Sequence, residues 1–513
     1  MVIADHRLGY MIKSYRALAT WVLLVTVLAV LILTAPATAG DSDNLQLPSR
    51  VPLINASSPK RIPGEYIVVF KEGNNTRTFE SIRVDIVVEK VKRLGGTIMQ
   101  TYMMAPIGLS AKLSEDAVQA LRADPSVDYI EVNQTGWYNT VQDLNNPPPP
   151  PPTNPPYPNW LPNTWPKGLD RTSERLLPFD KKYTYSESGH NVHVYVIDSG
   201  IDHTHTEFGR RVAPGKKIES TTPSTAPPDN DLTVTDDCNG HGTHVAGIIG
   251  GANVGIAKQA TLHPVRVNAG CGDSTLDRVI KAVQWVQAKA IRPAVVNLSV
   301  SFWTDPLADR NALKDAVIAS INSNLPHVIA AGNHNTDACT SPPSTSYRES
   351  PAIVNYGAPN RAIVVGAVNP NNDTRWNQAP LVGSNTGQCL SLFAPGGDIL
   401  SARSNQVPSG GTTEQRSGTS QAAAHVTGIV ARILGIDGNG NLTPAQVWGK
   451  IHSANNVKDD LITGTTVVNG VKWLGVQDPK AGSPNELLHY GSYNDGREDY
   501  PPAPPAPVNL IVQ

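Results

Sequence analysis

The segment Ser417-Gly418-Thr419-Ser420-Gln421-Ala422-Ala423-Ala424-His425-Val426 most limits what this 513-residue chain can fold into. Small residues run on from Ser420 into apolar ones, so the stretch reads as the start of a helix. The first turn of a helix offers unpaired backbone N–H groups and the positive end of the helix dipole. A hydroxyl held there suits a nucleophile whose reaction builds negative charge on a neighbouring oxygen. Serine is also a common helix cap, so the case rests on its company upstream.

A serine nucleophile needs a base, and the base needs an orienting acid. The candidate base is His241 in Asn239-Gly240-His241-Gly242-Thr243-His244-Val245-Ala246-Gly247. Glycines on both sides permit close backbone approach, and the apolar residues after them read as a helix entering a core. The candidate acid is Asp198, which ends the β-branched run His193-Val194-Tyr195-Val196-Ile197-Asp198 before Ser199-Gly200. Such a run, stopped by an acid and a turn, presents a carboxylate at the end of a buried strand. A further apolar run, Val328-Ile329-Ala330-Ala331, ends in Gly332-Asn333. Each residue alone has an ordinary use: Asp198 as a turn cap, Ser420 as a helix cap, Asn333 as a turn residue. His244 and His425, on helical segments beside apolar residues, read as structural. The ordinary readings require three coincidences at once.

Together the motifs resemble those of the subtilisin-like serine peptidases, in the proteinase K and aqualysin branch. The chain order Asp, His, Ser is the order known from subtilisin. The resemblance runs from about Trp165 to Tyr490 and includes Trp165-Pro166-Lys167-Gly168-Leu169-Asp170-Arg171. It implies an α/β fold, a subtilisin-like three-layer domain with a parallel sheet, and Asp198, His241 and Ser420 as the catalytic triad. It implies that the Asn333 side chain and the Ser420 backbone N–H stabilise the oxyanion. Peptide and protein substrates would lie as extended strands between Ser299-Val300-Ser301 and Gly272-Asp273-Ser274. Three positions depart from the family pattern: Ser301 stands in place of Gly, Gln421 in place of Met, and Ala424 in place of Pro. The first leaves the preferred substrate side chain undefined.

Four cysteines without CxxC spacing argue against zinc and for disulfides in an oxidising compartment. The resemblance implies the pairs Cys238 with Cys271 and Cys339 with Cys389. It also implies a structural Ca²⁺ at Asp398, completed by carbonyls near Asn360 and Ala362, and no cofactor for catalysis. One carboxylate with carbonyls suits that ion; a turn-forming Asp is the alternative.

Upstream, Trp21 to Leu33 is an apolar run preceded by Arg7, Lys13 and Arg16 and followed by Ala37-Thr38-Ala39. It is short for a membrane span, so residues 1–39 read as a signal peptide and the destination as secreted; an uncleaved anchor is the alternative. Asn55, Asn74, Asn133 and Asn372 lie in glycosylation sequons. After a spacer at 40–62, residues 63–134 read β-α-β-β-α-β, a ferredoxin-like α+β order. Strand Glu65–Phe70, a helix around 79–94, runs at 97–104 and 108–113, a Ser114-capped helix and strand Val127–Glu131 make it up. It resembles the subtilisin propeptide family, which implies a folding assistant and intramolecular inhibitor. Residues 135–164 form a Pro-rich linker and 491–513 a Pro-rich tail, both read as extended or disordered. Self-cleavage falls between about Asn133 and Asn146.

Residues 165–490 are ample for a large core. Apolar strands near Val192, Leu262, Val295, Val328 and Ala362 alternate with helical stretches such as 276–290, the pattern of a parallel sheet covered on both faces. Net charge is −2 and pI about 6.7, so there is no basic footprint for nucleic acid. The reading is a secreted, monomeric, self-processing serine endopeptidase. The rival is a binding protein that keeps the fold without turnover.

Overall fold

The structure is a computed structural model. It describes residues 50–488 except 72–76, 139–140, 143–164, 174–176, 178, 180, 182, 184, 186, 220–231, 269, 305–309, 340–347, 359–360, 408–410, 437–439, 453–461, 464–465, 469–470 and 474–485. The expected signal peptide, the Pro-rich tail and most of the linker lie outside the described residues.

The N-terminal domain has the six expected elements. Strands Arg61–Phe70, Thr97–Tyr102, Gly108–Lys112 and Val127–Gln134 alternate with helices Arg77–Arg93 and Glu115–Arg122. Ser114 caps the second helix, its hydroxyl accepting from Ala117 N at 3.2 Å, and Glu115 and Asp116 favour that positive end. One strand comes from the stretch expected to be a spacer. Leu53–Ile54 pairs in parallel with Ile130–Glu131 at the sheet edge, and two residues are too few to carry a periodic signal. The domain buries its own core, including Val68, Leu109, Leu121 and Ile130, beneath its two helices.

The larger domain is built on a nine-stranded sheet. Seven strands run in spatial order Lys216–Lys217, Thr261–Arg266, His193–Asp198, Ala294–Leu298, His327–Ala330, Ile363–Val368 and Leu392–Pro395, each parallel to its neighbour. Apolar runs suit such a sheet because both faces are covered. In strand His193–Asp198, Val194 and Val196 enter one core while Tyr195 and Ile197 enter the other. Chain order reverses beside that strand, and clefts in open α/β sheets lie past the carboxyl ends of strands at such a reversal. Helix Thr419–Gly435 is buried from Thr419 to Leu434. That explains its run of small residues: a Cβ at Gly428 would lie 2.7 Å from Ile256. Arg171 and Asp373 form a buried two-pronged ion pair at 2.7 and 3.0 Å, fixing the start of this domain to a distant turn.

The two domains share a core. Ile67, Val69, Tyr102 and Tyr129 of the smaller domain join the cluster that holds residues of helices Leu276–Lys289 and Ala312–Asn322. Buried polar groups close the ends of both helices. Asn133 Oδ1 accepts from Asp277 N at 3.2 Å, and Glu131 Oε2 accepts from Ala312 N at 2.9 Å. Asn55 donates to Glu131 at 2.7 Å. Asn55 and Asn133 are therefore buried and bonded, leaving no room for sugar on these sequons, whereas Asn372 is exposed.

Candidate active site

Asp198 ends its strand, His241 begins helix His241–Gly250, and Ser420 is the second residue of helix Thr419–Gly435. Gly242 lets the histidine helix press on the aspartate loop, since a Cβ there would lie 2.1 Å from Gly200 O. Asp237, which sequence reading missed, ties the two segments together. Its carboxylate accepts from Ser199 Oγ at 2.8 Å, Gly240 N at 2.8 Å and Thr243 N at 2.8 Å. A buried anion at a helix N-terminus satisfies amides that would otherwise lack partners.

His241 Nδ1 and Asp198 Oδ1 are 2.7 Å apart with both side chains fully buried. Ser199 N donates to the same oxygen at 2.7 Å. His241 Nε2 has no partner among the described residues, and Ser420 Oγ donates to Ser299 O at 3.3 Å. The neighbouring imidazoles serve differently. His244 contacts the carbonyls of Ile399 and Glu414 at 3.1 and 3.2 Å, and burial, then Arg416, hold it well below the usual range. His425 meets Gln421 O at 2.8 Å, and burial lowers it to about 4.

Asn333 follows strand His327–Ala330 through Ala331-Gly332. Its Oδ1 accepts from Thr419 N and Thr419 Oγ1, both at 3.0 Å. This clamp, also unseen in the sequence, fixes the amide so that Nδ2 is left without a partner among the described residues. A buried imidazole held by a carboxylate, a hydroxyl at a helix start and a free amide donor constitute equipment for acyl transfer.

Two further strands cross this region. Trp137–Tyr138 pairs antiparallel with Ser301 and Val300, and Gly136 N donates to Ser274 O at 3.0 Å. Val141–Gln142 pairs antiparallel with Ser417 and Arg416. Of the expected substrate-binding residues, Val300, Ser301 and Ser274 meet this tail. Gly272 and Asp273 lie exposed on the loop before Ser274. Tyr138 stacks on His241 at 4.7 Å between ring centroids. The resemblance to the propeptide family carries the expectation of an inhibitory tail after Ile130 in the substrate cleft, whereas the Pro-rich composition of the linker signalled none of these strand pairings.

Disulfides join Cys238 to Cys271 and Cys339 to Cys389, with Cα atoms 5.2 and 5.6 Å apart. Calcium fits less well. Ala362 O already accepts from Asn355 Nδ2 and Ser391 Oγ at 3.0 and 3.2 Å, and Asn360 lies outside the described residues. Asp398 is exposed and bonded to Ser417 Oγ at 3.2 Å. Its lone carboxylate does not make a calcium shell, and no cluster of three metal-ligating side chains occurs among the described residues.

A parallel α/β core with this constellation at its strand ends defines a serine hydrolase of the subtilisin type. The chain belongs to the subtilase family, which residues 189–491 match, and it is a serine peptidase. Residues 65–136 match peptidase inhibitor I9, a propeptide domain. It is similar to an extracellular serine proteinase from a Thermus species, 36% identical over 410 residues, covering 77% of this chain and 86% of that one. It is 34% identical over 425 residues to alkaline serine exoprotease A of Vibrio alginolyticus, covering 82% and 69%. Fervidolysin from Fervidobacterium pennivorans shares the fold, with TM-score 0.56, 21% identity and coverage of 86% of this chain and 62% of that one. Among the described residues no helix is long and apolar enough to cross a membrane.

Proposed function

We propose that this chain is the zymogen of a secreted, monomeric serine endopeptidase that cuts itself free of its own prodomain. Ser420 Oγ attacks the scissile carbonyl, and His241 Nε2 takes its proton and later returns it to the leaving amine. Asp198 orients the imidazole and stabilises its cation, while Asn333 Nδ2 and the Ser420 backbone N–H hold the oxyanion. Residues 1–39 act as signal peptide, 63–134 as inhibitor and 165–490 as enzyme. The extracellular relative supports the secretory route.

The observation that carries the proposal is the path of the tail. Trp137–Tyr138 pairs on one side of the nucleophile and Val141–Gln142 on the other, at the residues leading into Gly418-Thr419-Ser420. A strand that adds to both edges is laid out as a substrate, so the cut falls between Tyr138 and Val141. The test compares wild type with Ser420→Ala by fluorophosphonate labelling, mass and N-terminal sequencing. Wild type should label and begin at residue 139, 140 or 141, while the variant stays uncut and unlabelled. An uncut, unlabelled wild type, or an equally processed variant, overturns the proposal.

A further inference from the structure

Among the buried atoms near the cleft that lack a hydrogen-bond partner among the described residues are His241 Nε2, Asn333 Nδ2 and Glu349 Oε1; Asp198 Oδ2, Trp137 Nε1 and Tyr138 Oη share that state. Catalysis uses the first two. The third belongs to a fully buried carboxyl group, and a buried polar oxygen without a partner is costly unless something binds it. Glu349 lies on strand Arg348–Ser350, which pairs with Phe302–Thr304 of the same strand that takes the tail at Val300–Ser301. Its Oε2 is engaged by Asn385 Nδ2 at 2.6 Å and by His334 Nδ1 at 3.2 Å. Its Oε1 stands 2.3 Å from where a Cβ of Gly332 would be. Gly332, at φ +100°, therefore makes room for the carboxylate against the backbone leading into Asn333.

Strand alternation links this oxygen to substrate. Successive side chains of an extended strand face opposite ways. Tyr138 faces His241, and Trp137 turns the other way and meets the His334 ring edge-on at 5.1 Å. In a substrate laid in this register, the residue after the one on His241 shares Trp137's side, the side of His334 and Glu349. That residue carries the carbonyl reaching Ser420. We propose that Glu349 forms the floor of the pocket for this side chain and that its free oxygen selects lysine or arginine there. The assignment rests on the peptidase reading above. Burial alone would lower the His334 imidazole, yet the Glu349 carboxyl beside it outweighs burial and the imidazole is raised.

The test measures kcat/KM for the processed enzyme on peptides differing in that residue alone: Lys, Arg, Gln, Phe and Glu. Fluorophosphonate labelling at Ser420 counts active sites. Wild type should favour Lys over Gln by about ten- to hundredfold, the range of a hydrogen bond to a charged group, and reject Glu. Glu349→Gln should bring the Lys-to-Gln ratio near one among labelled molecules. If Glu349→Gln does not fold, wild type decides by whether benzamidine, an aryl cation, inhibits more strongly than neutral benzamide. Labelled wild type that prefers Phe, or takes Lys and Gln equally, overturns this assignment alone. Unlabelled wild type overturns the peptidase reading with it.

Discussion

Tyr138 lies nearly parallel to His241, 25° between ring planes and 4.7 Å between centroids. A residue of the tail after the inhibitor-like domain thus covers the imidazole to which the proposed mechanism gives the proton transfer. Stacked aromatic rings contribute about 0.5–1.5 kcal/mol beyond the area they bury, and the antiparallel pairing with Val300 and Ser301 adds to that. In the proposed zymogen, latency would come from occupancy: Asp198 and His241 are already bonded, and the tail pairs along Val300 and Ser301.

Asn333 is clamped through its oxygen, so exchanging its amide for an apolar group removes the free donor while also releasing Thr419. Asn333→Leu should lower kcat by roughly 10²–10³ with a much smaller change in KM, a magnitude measured on subtilisin itself. Steady-state kinetics on a peptide substrate check this. A fall confined to KM would remove Asn333 from the oxyanion role.

Prodomain retention should depend on pH through Glu131. Burial is the main cause that raises its carboxyl from 4.5 to about 7; the Ala312 and Asn55 donors oppose this and Asp315 reinforces it. Because the value in the assembled state is raised, the protonated group favours assembly below about pH 4.5. That contribution is lost as pH rises through about 7. The difference corresponds to about 3 kcal/mol. Asp315, raised by its own burial, acts in the same direction. Release of the cleaved prodomain, followed by size separation between pH 5 and 8, should accelerate with pH, and Glu131→Gln should flatten the dependence. A release rate independent of pH would count against it.

Oxidation should spare the processed enzyme. The five methionines are Met1, Met11, Met99, Met103 and Met104, all upstream of Tyr138, and the four cysteines are paired. Gln421, buried beside the nucleophile with Nε2 3.4 Å from His244 Nδ1, offers no thioether to oxidise. Peroxide that abolishes a methionine-bearing relative should leave most activity here, and Gln421→Met should introduce sensitivity. Equal loss in wild type and variant would refute the idea.

Chemistry carried by contiguous residues was legible in the sequence. His193–Asp198, Asn239–Gly247 and Ser417–Val426 are local patterns whose periodicity and turn residues define a strand end and two helix starts. Ser114 before Glu115-Asp116 likewise announces its helix, and the alternation of apolar strands with helices announces the parallel sheet. Tertiary structure alone decided what depends on distant segments meeting. Asp237 bridging Ser199 and Thr243, Thr419 clamping Asn333, and Leu53–Ile54 joining Ile130–Glu131 leave no periodic trace, because their partners are set by packing. The same holds for Tyr138 on His241 and for Glu349 against Gly332. A two-residue strand or a lone buried carboxylate takes its meaning from the surface it reaches, and that surface exists only once the sheet has formed.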